Sequence, residues 1–150
     1  MMKLLWQIPF SLIALYVMVV FLLWLKQGSL IYPAAKIDLP EEAPAPFYNF
    51  FVTASDGIKL RGWYAPAKPH MPTVVYFHGN GDDLVATQFH HKLLLQKGFG
   101  LLLTSYRGYS NNEGTPSEQG LYADASAFID ALKESGVPQK DMVIYGFSLG

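Results

Sequence analysis

Two short motifs in this sequence bring polar side chains and glycines together in patterns that could do chemistry. One is HGNGDD, residues 78–83, and the other is GFSLG, residues 146–150. The pattern Gly-x-Ser-x-Gly is typical of a nucleophilic serine presented on a tight turn between a strand and a helix. At ordinary glycine and serine frequencies it arises by chance in about one chain in twenty of this length, so the flanking sequence must decide its meaning.

Each motif directly follows a short apolar run that predicts a buried strand. TVVYF, residues 73–77, precedes the first motif, and MVIY, residues 142–145, runs straight into Gly146. Reactive groups gather at the carboxyl ends of the strands in an open parallel sheet. We therefore predict that Ser148 stands exposed above the sheet in a strained backbone conformation, which small neighbouring residues permit.

An acyl-transfer site also needs hydrogen-bond donors for the negative charge that develops on the substrate oxygen. The usual donors are the backbone N–H after the nucleophile and one N–H from the loop after an earlier strand. Leu149 and Asn80 occupy the matching positions. Because this chemistry needs neither a metal nor a nucleotide, no cofactor is predicted.

The elements that would position these motifs alternate between strands and helices. Residues 47–66 predict an antiparallel hairpin that turns at Asp56-Gly57. A further strand is predicted at residues 100–106, and helices at residues 82–97 and from a capping box at Thr115 and Glu118 to Gly136. Strands separated by helices of this length form βαβ units, so the predicted class is α/β, with a mostly parallel sheet after the hairpin.

A general base for Ser148 is not evident in the sequence. The histidines are residues 70, 78, 90 and 91, and all of them precede the serine. His78 is expected to fix the loop that contains it. His90 and His91 are expected to be one solvated and one partly buried helix residue, with a metal site shared with Asp82 and Asp83 as the minor alternative.

The acidic residues offer no better substitute for a catalytic partner. Asp124 lies within the last predicted helix, where a solvated helix face is the ordinary explanation. Asp56 is expected to stabilise the hairpin turn that contains it. The strand at residues 142–145 is also expected to form an unpaired, strongly apolar edge of the sheet.

The N-terminal segment Leu4–Leu25 runs for 22 residues without a charge, between Lys3 and Lys26. As a helix it would be about 33 Å long, enough to cross the hydrocarbon core of a bilayer. A cleaved signal peptide has a shorter apolar region, and a buried core helix is rarely apolar on every face, so a retained membrane anchor is favoured. The lysines near its ends do not set its orientation, so the side of the membrane is not predicted.

Composition excludes several classes of partner and of site. The net charge is −1 and 15% of residues are charged, so no basic face for nucleic acid is predicted. Zero cysteines exclude disulfides, thiolate metal sites and a cysteine nucleophile. After the anchor and a three-residue N-terminal stub, residues 26–47 contain four prolines and no sustained periodicity, which predicts a stiff, extended linker. Oligomeric state is not predicted.

Residues 48–150 resemble the α/β-hydrolase superfamily, and more closely its membrane-anchored lysophospholipase-like and serine-aminopeptidase-like branch. The resemblance rests on four ordered segments, SDGIKLRGWY, VVYFHGNGDD, SYRGYSNNEGTPSEQGLYADASAFIDAL and VIYGFSLG. It implies Ser148 as the nucleophile, the N–H groups of Asn80 and Leu149 as the oxyanion hole, and a small-molecule or lipid-like acyl substrate. Ser105 and Ser110 depart from the pattern, since relatives often have Asp and Gly there.

In this superfamily the triad acid and histidine follow the serine, so residues 48–150 are expected to be a truncated, N-terminal part of the domain. Two hypotheses follow. In the first, the chain belongs to a membrane-anchored serine hydrolase that acts on an ester, thioester or amide, although the 150 residues alone are expected to be inactive. In the second, it is a non-catalytic, membrane-bound remnant.

Overall fold

The computed structural model of the protein describes residues 2–34, 37 and 39–150. Two compact units make up the chain, one up to Tyr32 and the other from Pro33 to Gly150. The first unit is a single helix, α1, Met2–Ile31. Its apolar stretch Pro9–Ile31 has a mean hydropathy of 2.0 and no buried side chains, so its length and composition suit a membrane span.

The second unit is a five-stranded sheet with helices. Strands β1 (Tyr48–Thr53) and β2 (Lys59–Ala65) form the predicted hairpin, followed by β3 (Thr73–Phe77), β4 (Gly100–Leu103) and β5 (Met142–Gly146). The strand order is β1-β2-β4-β3-β5. Strand β3 pairs in parallel with β4 and β5, whereas β2 pairs antiparallel with β1 and β4. The α/β class and the hairpin-then-parallel arrangement are therefore confirmed.

The helices of this unit are α2 (Leu84–His90), α3 (Lys92–Gln96) and α4 (Glu118–Glu134). The helix predicted at residues 82–97 is broken at His91, whose ring packs 4.0 Å from the Tyr76 ring and whose Nδ1 lies 3.0 Å from the Thr87 carbonyl oxygen. His91 is buried and His90 is exposed, as expected from the sequence.

The start of α4 differs from the sequence prediction. Ser117, not Thr115, is the N-cap residue, and its hydroxyl accepts a hydrogen bond of 3.2 Å from the Gly120 N–H. The capping box predicted from Thr115 and Glu118 was wrong because the helix begins two residues later than the box requires.

The core of the sheet lies around β2, β3 and β4. Trp63, Val75 and the leucines of β4 are completely inaccessible to solvent. Burial on both faces explains why β4 is a continuous leucine run and not an alternating pattern. The apolar strands hold the carboxyl ends of β3 and β5 in fixed register, and the two motifs leave the sheet there.

Residues 26–47, the predicted linker, divide between two environments. Helix α1 continues to Ile31, six residues beyond the predicted end of the anchor. From Leu39 onward the described residues pack on the α/β unit: Leu39 and Ala43 contact the core, and Phe47 is part of it. The proline-rich segment from Leu39 to Phe47 therefore packs against the α/β unit.

Arg107, in the loop after β4, forms a buried ion-pair network. Its guanidinium donates to both carboxylate oxygens of Asp124, with a shortest distance of 2.7 Å, and to Asp56 at 2.6 Å. Asp124 is completely buried, so the prediction of a solvated helix face was wrong. Asp56 accepts from the Ile58 N–H, as its turn role requires, but it also binds Arg107. Arg107 lowers the pKa of the Asp56 carboxyl below its usual range.

We predict that Arg107→Ala destabilises the α/β unit strongly, because it leaves the Asp124 carboxylate buried without a cationic partner. Among the described residues, only the backbone N–H of residue 107 then remains as a donor to it, at 2.8 Å. Loss of one member of a buried pair costs about 3–5 kcal/mol. Lys133→Ala is the matched control, since Lys133 pairs with an aspartate of the same helix, Asp130, at 2.9 Å on the exposed surface. An exposed pair contributes roughly 0–1 kcal/mol. Urea unfolding in detergent micelles measures both; equal effects of the two variants would contradict the prediction.

Candidate active site

The parallel pairing of β3 with β5 brings the two sequence motifs together. Phe77, the last residue of β3, is in register with Gly146, the last residue of β5. The loop that starts at His78 and the turn that contains Ser148 therefore leave the sheet side by side at its carboxyl edge. This is the place where open α/β sheets bind ligands.

The turn after β5 has the tight geometry expected of a nucleophile elbow. The Phe147 N–H donates to the Phe77 carbonyl oxygen at 3.0 Å, and the Gly150 N–H donates to the Phe147 carbonyl oxygen at 3.0 Å. A Cβ atom at Gly146 would lie 2.5 Å from the Gly150 backbone, so the turn requires glycine there. Ser148 is exposed and has φ +54°, the left-handed region that a non-glycine residue rarely occupies.

The HGNGDD loop approaches this turn through Gly79. A Cβ atom at Gly79 would lie 3.1 Å from Phe147 Cδ1 and 3.4 Å from Ser148 Cβ, so a glycine lets the loop backbone lie against the turn. The Asp82 N–H donates to the Gly79 carbonyl oxygen at 3.1 Å and closes the loop. Asn80 is exposed on this loop.

Both backbone groups assigned to the oxyanion hole thus lie on segments that meet at Gly79. Leu149 directly follows the serine and is half-buried. Within the part of the chain that the structure describes, its N–H makes no backbone hydrogen bond. The Leu149 N–H, next to the exposed Ser148, is therefore available to donate a hydrogen bond to a substrate oxygen.

His78, the first residue of the HGNGDD loop, is completely buried. Its Nδ1 lies 2.7 Å from the Gly79 carbonyl oxygen, so Nδ1 carries the proton and donates. Its ring packs against the rings of Tyr106 (4.9 Å) and Tyr109 (5.1 Å). Burial lowers the pKa of His78 below its usual 6.5 and keeps the ring neutral. These contacts fit the loop-fixing role predicted from the sequence.

The loop after β4, residues 104–117, is hydrogen-bonded to the start of α2 and to β2. Ser110 has φ +49°, which explains why glycine suits this position, and its hydroxyl accepts a 3.2 Å hydrogen bond from the Leu84 N–H. The Asn112 side chain accepts from the Arg61 N–H and donates to the Ser105 carbonyl oxygen, both at 2.8 Å. Ser105 is completely buried, and its hydroxyl has no hydrogen-bond partner among the described residues.

None of the histidines is bonded to the nucleophile candidate. Among the described residues the Ser148 hydroxyl makes no hydrogen bond with any side chain, and no group of three or more His, Asp and Glu residues could hold a metal. The minor alternative of a metal site at His90, His91, Asp82 and Asp83 therefore gains no support from the described residues.

Strand β5 forms one edge of the sheet, as the sequence predicted. It pairs with β3 on one side only. The apolar side chains of Val143, Ile144 and Tyr145 are each about half exposed on it, and Phe147 follows with a similar exposure. Such a patch is larger than the single exposed apolar residues that a protein surface normally carries.

We predict that His78 makes stability depend on pH near neutrality. Because its pKa is lower in the folded state than the usual 6.5, the unfolded chain binds more protons at mildly acidic pH. The free energy of unfolding then falls as the pH drops below about 6.5, by at most roughly 1.4 kcal/mol per pH unit for one group.

His78→Asn keeps a donor for the Gly79 carbonyl oxygen but cannot be protonated, so it should flatten this dependence between pH 7 and pH 5. Urea unfolding across that range measures it, with His90→Asn, an exposed histidine, as the control. A pH dependence that survives in His78→Asn and is lost in His90→Asn would contradict the assignment.

Sequence comparison finds several known proteins that are similar to this chain. No protein-family model matches the sequence. YfhR of Salmonella typhi is 33% identical over 149 residues, which cover 93% of this chain and 50% of YfhR. The yeast membrane protein YNL320W of Saccharomyces cerevisiae is 32% identical over 152 residues, covering 93% and 52%. The α/β-hydrolase domain-containing protein WAV2 of Arabidopsis thaliana is 31% identical over 108 residues, covering 69% and 35%.

Solved structures show the same fold. The esterase Pf2001 of Pyrococcus furiosus superposes with a TM-score of 0.63 at 23% identity, over 78% of this chain and 47% of that one. The α/β-hydrolase GrgF from Penicillium sp. sh18 superposes with a TM-score of 0.59 at 23% identity, over 70% and 38%.

The chain spans about half the length, or less, of the curated relatives it matches, and this partial coverage fits an N-terminal portion. TM-scores of 0.63 and 0.59 show that this chain shares its fold with these two hydrolase structures. The chain therefore has the α/β-hydrolase fold.

Proposed function

We propose that the protein is a serine hydrolase that cleaves an ester, thioester or amide through an acyl-enzyme on Ser148. One observation carries the proposal: Ser148, in the left-handed region at φ +54°, lies on a turn against which the HGNGDD loop packs through Gly79. A strained, exposed serine next to a glycine-rich loop is the arrangement that acyl transfer requires. The hydrolase names of several relatives agree with it.

The proposed reaction has two halves. The Ser148 Oγ attacks the substrate carbonyl carbon while its proton passes to a general base, and the N–H groups of Asn80 and Leu149 donate to the oxyanion of the tetrahedral intermediate. Collapse of the intermediate expels the alcohol, thiol or amine, which takes the proton from the base. Water then attacks the acyl-enzyme in the same way and releases the acid.

The general base and its acidic partner are not supplied by the described residues. His78 is buried against tyrosine rings, and the Ser148 hydroxyl has no hydrogen bond to a histidine. A serine hydroxyl without a base is a weak nucleophile at neutral pH. We therefore assign the activity to the protein expressed from its complete reading frame, and expect the 150 residues by themselves to be unreactive.

A second candidate is a non-catalytic, membrane-bound protein, which the lack of a general base beside Ser148 among the described residues favours. The two candidates differ in one property, which is whether Ser148 ever becomes a nucleophile. A covalent serine probe separates them.

We also propose that α1 is a single membrane anchor and that the substrate is a small or lipid-like acyl compound. Helix α1 has 30 residues, and all its described side chains from Pro9 to Ile31 are exposed. A helix without a charge between Lys3 and Lys26 finds a matching environment in a bilayer. The relative in yeast is named a membrane protein, which agrees with this assignment. The side of the membrane that the domain occupies is left open.

For the protein expressed from its complete reading frame, we predict that a fluorophosphonate probe labels Ser148. Labelling should vanish in Ser148→Ala and persist in Ser126→Ala, which removes an exposed serine of α4. In-gel fluorescence measures both. Labelling that persists in Ser148→Ala, or a protein that never labels, would refute the serine hydrolase and favour the non-catalytic candidate.

For the anchor, we predict that the protein stays in the membrane fraction after alkaline carbonate extraction. Replacing Val17 and Phe21 by arginine should release it, because each charge at the centre of a span costs about 2.5–3.5 kcal/mol. The control replaces the same two residues by leucine and should stay membrane-bound. Retention of the double arginine variant would exclude α1 as the anchor.

A further inference from the structure

The segment that follows α1 lines a cavity together with the proposed oxyanion loop. Pro33 and Ile37 of this segment line a small cavity of about 40 Å³, and residues 80–83 and Tyr109 form the rest of its wall. We name residues 33–41, as far as the structure describes them, the brace segment. The only chain between α1 and its first residue is Tyr32.

Asn111 joins the brace segment to the loops of the site. Its side-chain Nδ2 donates to the Ile37 carbonyl oxygen. Asn111 has φ +61°, a conformation that asparagine tolerates better than most residues. The hydroxyl of the preceding residue, Ser110, accepts a hydrogen bond from the N–H of Leu84, the residue directly after the HGNGDD loop. Two adjacent side chains therefore bind the brace segment and the end of that loop.

The other end of the brace segment is fixed to the sheet. Arg61 of β2 donates to the carbonyl oxygens of Pro40 (3.1 Å) and Glu41 (3.3 Å), and Asn49 of β1 donates to the Glu41 carbonyl oxygen at 2.8 Å. Leu39 packs on the hydrophobic core. The segment is therefore held at Ile37 and again at residues 39–41.

The HGNGDD loop has reason to need such support. Two of its residues are glycines, Asn80 and Gly81 are exposed, and glycine restricts the backbone least. An oxyanion donor must be held about 2.7–3.1 Å from the substrate oxygen, so small displacements of Asn80 matter. A contact from outside the loop would limit them.

We infer that the brace segment, held by Asn111, is a positioning element for the oxyanion loop of the proposed hydrolase site. The inference rests on the proposed function for its catalytic consequence. The contacts themselves are independent of it, because they can be tested in the absence of activity. The segment that follows the proposed membrane anchor would thus be a structural part of the site as well as a connection.

The first test measures amide hydrogen exchange in the full chain in lipid nanodiscs. Asn111→Gly removes the donor and keeps the left-handed backbone free of strain. It should speed exchange of the amides at residues 79–84 by about two- to tenfold, the effect of one lost hydrogen bond. The control is Lys133→Ala, which removes an exposed ion pair on α4 and no contact of the brace segment, and it should leave these amides unchanged.

Two results would overturn the inference. One is exchange at residues 79–84 that is the same in Asn111→Gly and in the parent chain. The other is an acceleration in Asn111→Gly that extends equally to residues 101–103 of β4, because it would indicate general destabilisation and no local support.

The second test measures fluorophosphonate labelling kinetics of the protein expressed from its complete reading frame. Asn111→Gly should lower the maximal labelling rate, kinact, several-fold and leave the probe concentration for half-maximal rate, KI, unchanged, because the transition state depends on the oxyanion donors. Lys133→Ala should change neither. A change confined to KI would contradict the positioning role. A parent protein that never labels would refute the proposed function, and the exchange result would still decide whether Asn111 supports the loop.

Discussion

The parallel register between β3 and β5 is the constraint on which the site depends. It aligns Phe77 with Gly146, so that the two chemistry-bearing motifs leave neighbouring strands at one edge. A backbone hydrogen bond from the Phe147 N–H to the Phe77 carbonyl oxygen then fixes the serine turn against the end of β3. A Cβ at Gly146 or Gly150 would clash with backbone atoms, and one at Gly79 would lie only 3.1 Å from the Phe147 ring, so glycine permits the close approach. The position of Ser148 is therefore a property of strand pairing.

Around this pair, the loop after β4 connects distant parts of the domain to the site. Its arginine joins the hairpin turn to α4 through a buried network, and its Asn112 is bonded to β2. Its Ser110 and Asn111 reach the start of α2 and the brace segment. Removing one partner from a buried ion pair is costly, so this network stabilises the loop against displacement.

Sequence reasoning predicted the strands, the hairpin and the glycine-serine turn, because these depend on local apolar runs and on glycine positions. It missed the burial of Asp124, although a signal existed: Asp124 lies three residues after Leu121 and four before Phe128, on the buried face of α4. The brace segment could not be predicted, because its contacts with Arg61, Asn49 and Asn111 join positions far apart in the chain and involve backbone carbonyls. Proline-rich composition indicates an extended backbone and not what that backbone touches.

The central claim is that the turn at Ser148 and the loop at Asn80 form one acyl-transfer site. The most direct measurement is an experimental structure of the protein, expressed from its complete reading frame, after reaction with a phosphonate that mimics the tetrahedral intermediate. We expect phosphorus bonded to Ser148 Oγ and its oxygen within about 2.7–3.1 Å of the N–H groups of both Asn80 and Leu149. An adduct on another residue, or a phosphonyl oxygen directed to solvent with both N–H groups elsewhere, would contradict the claim.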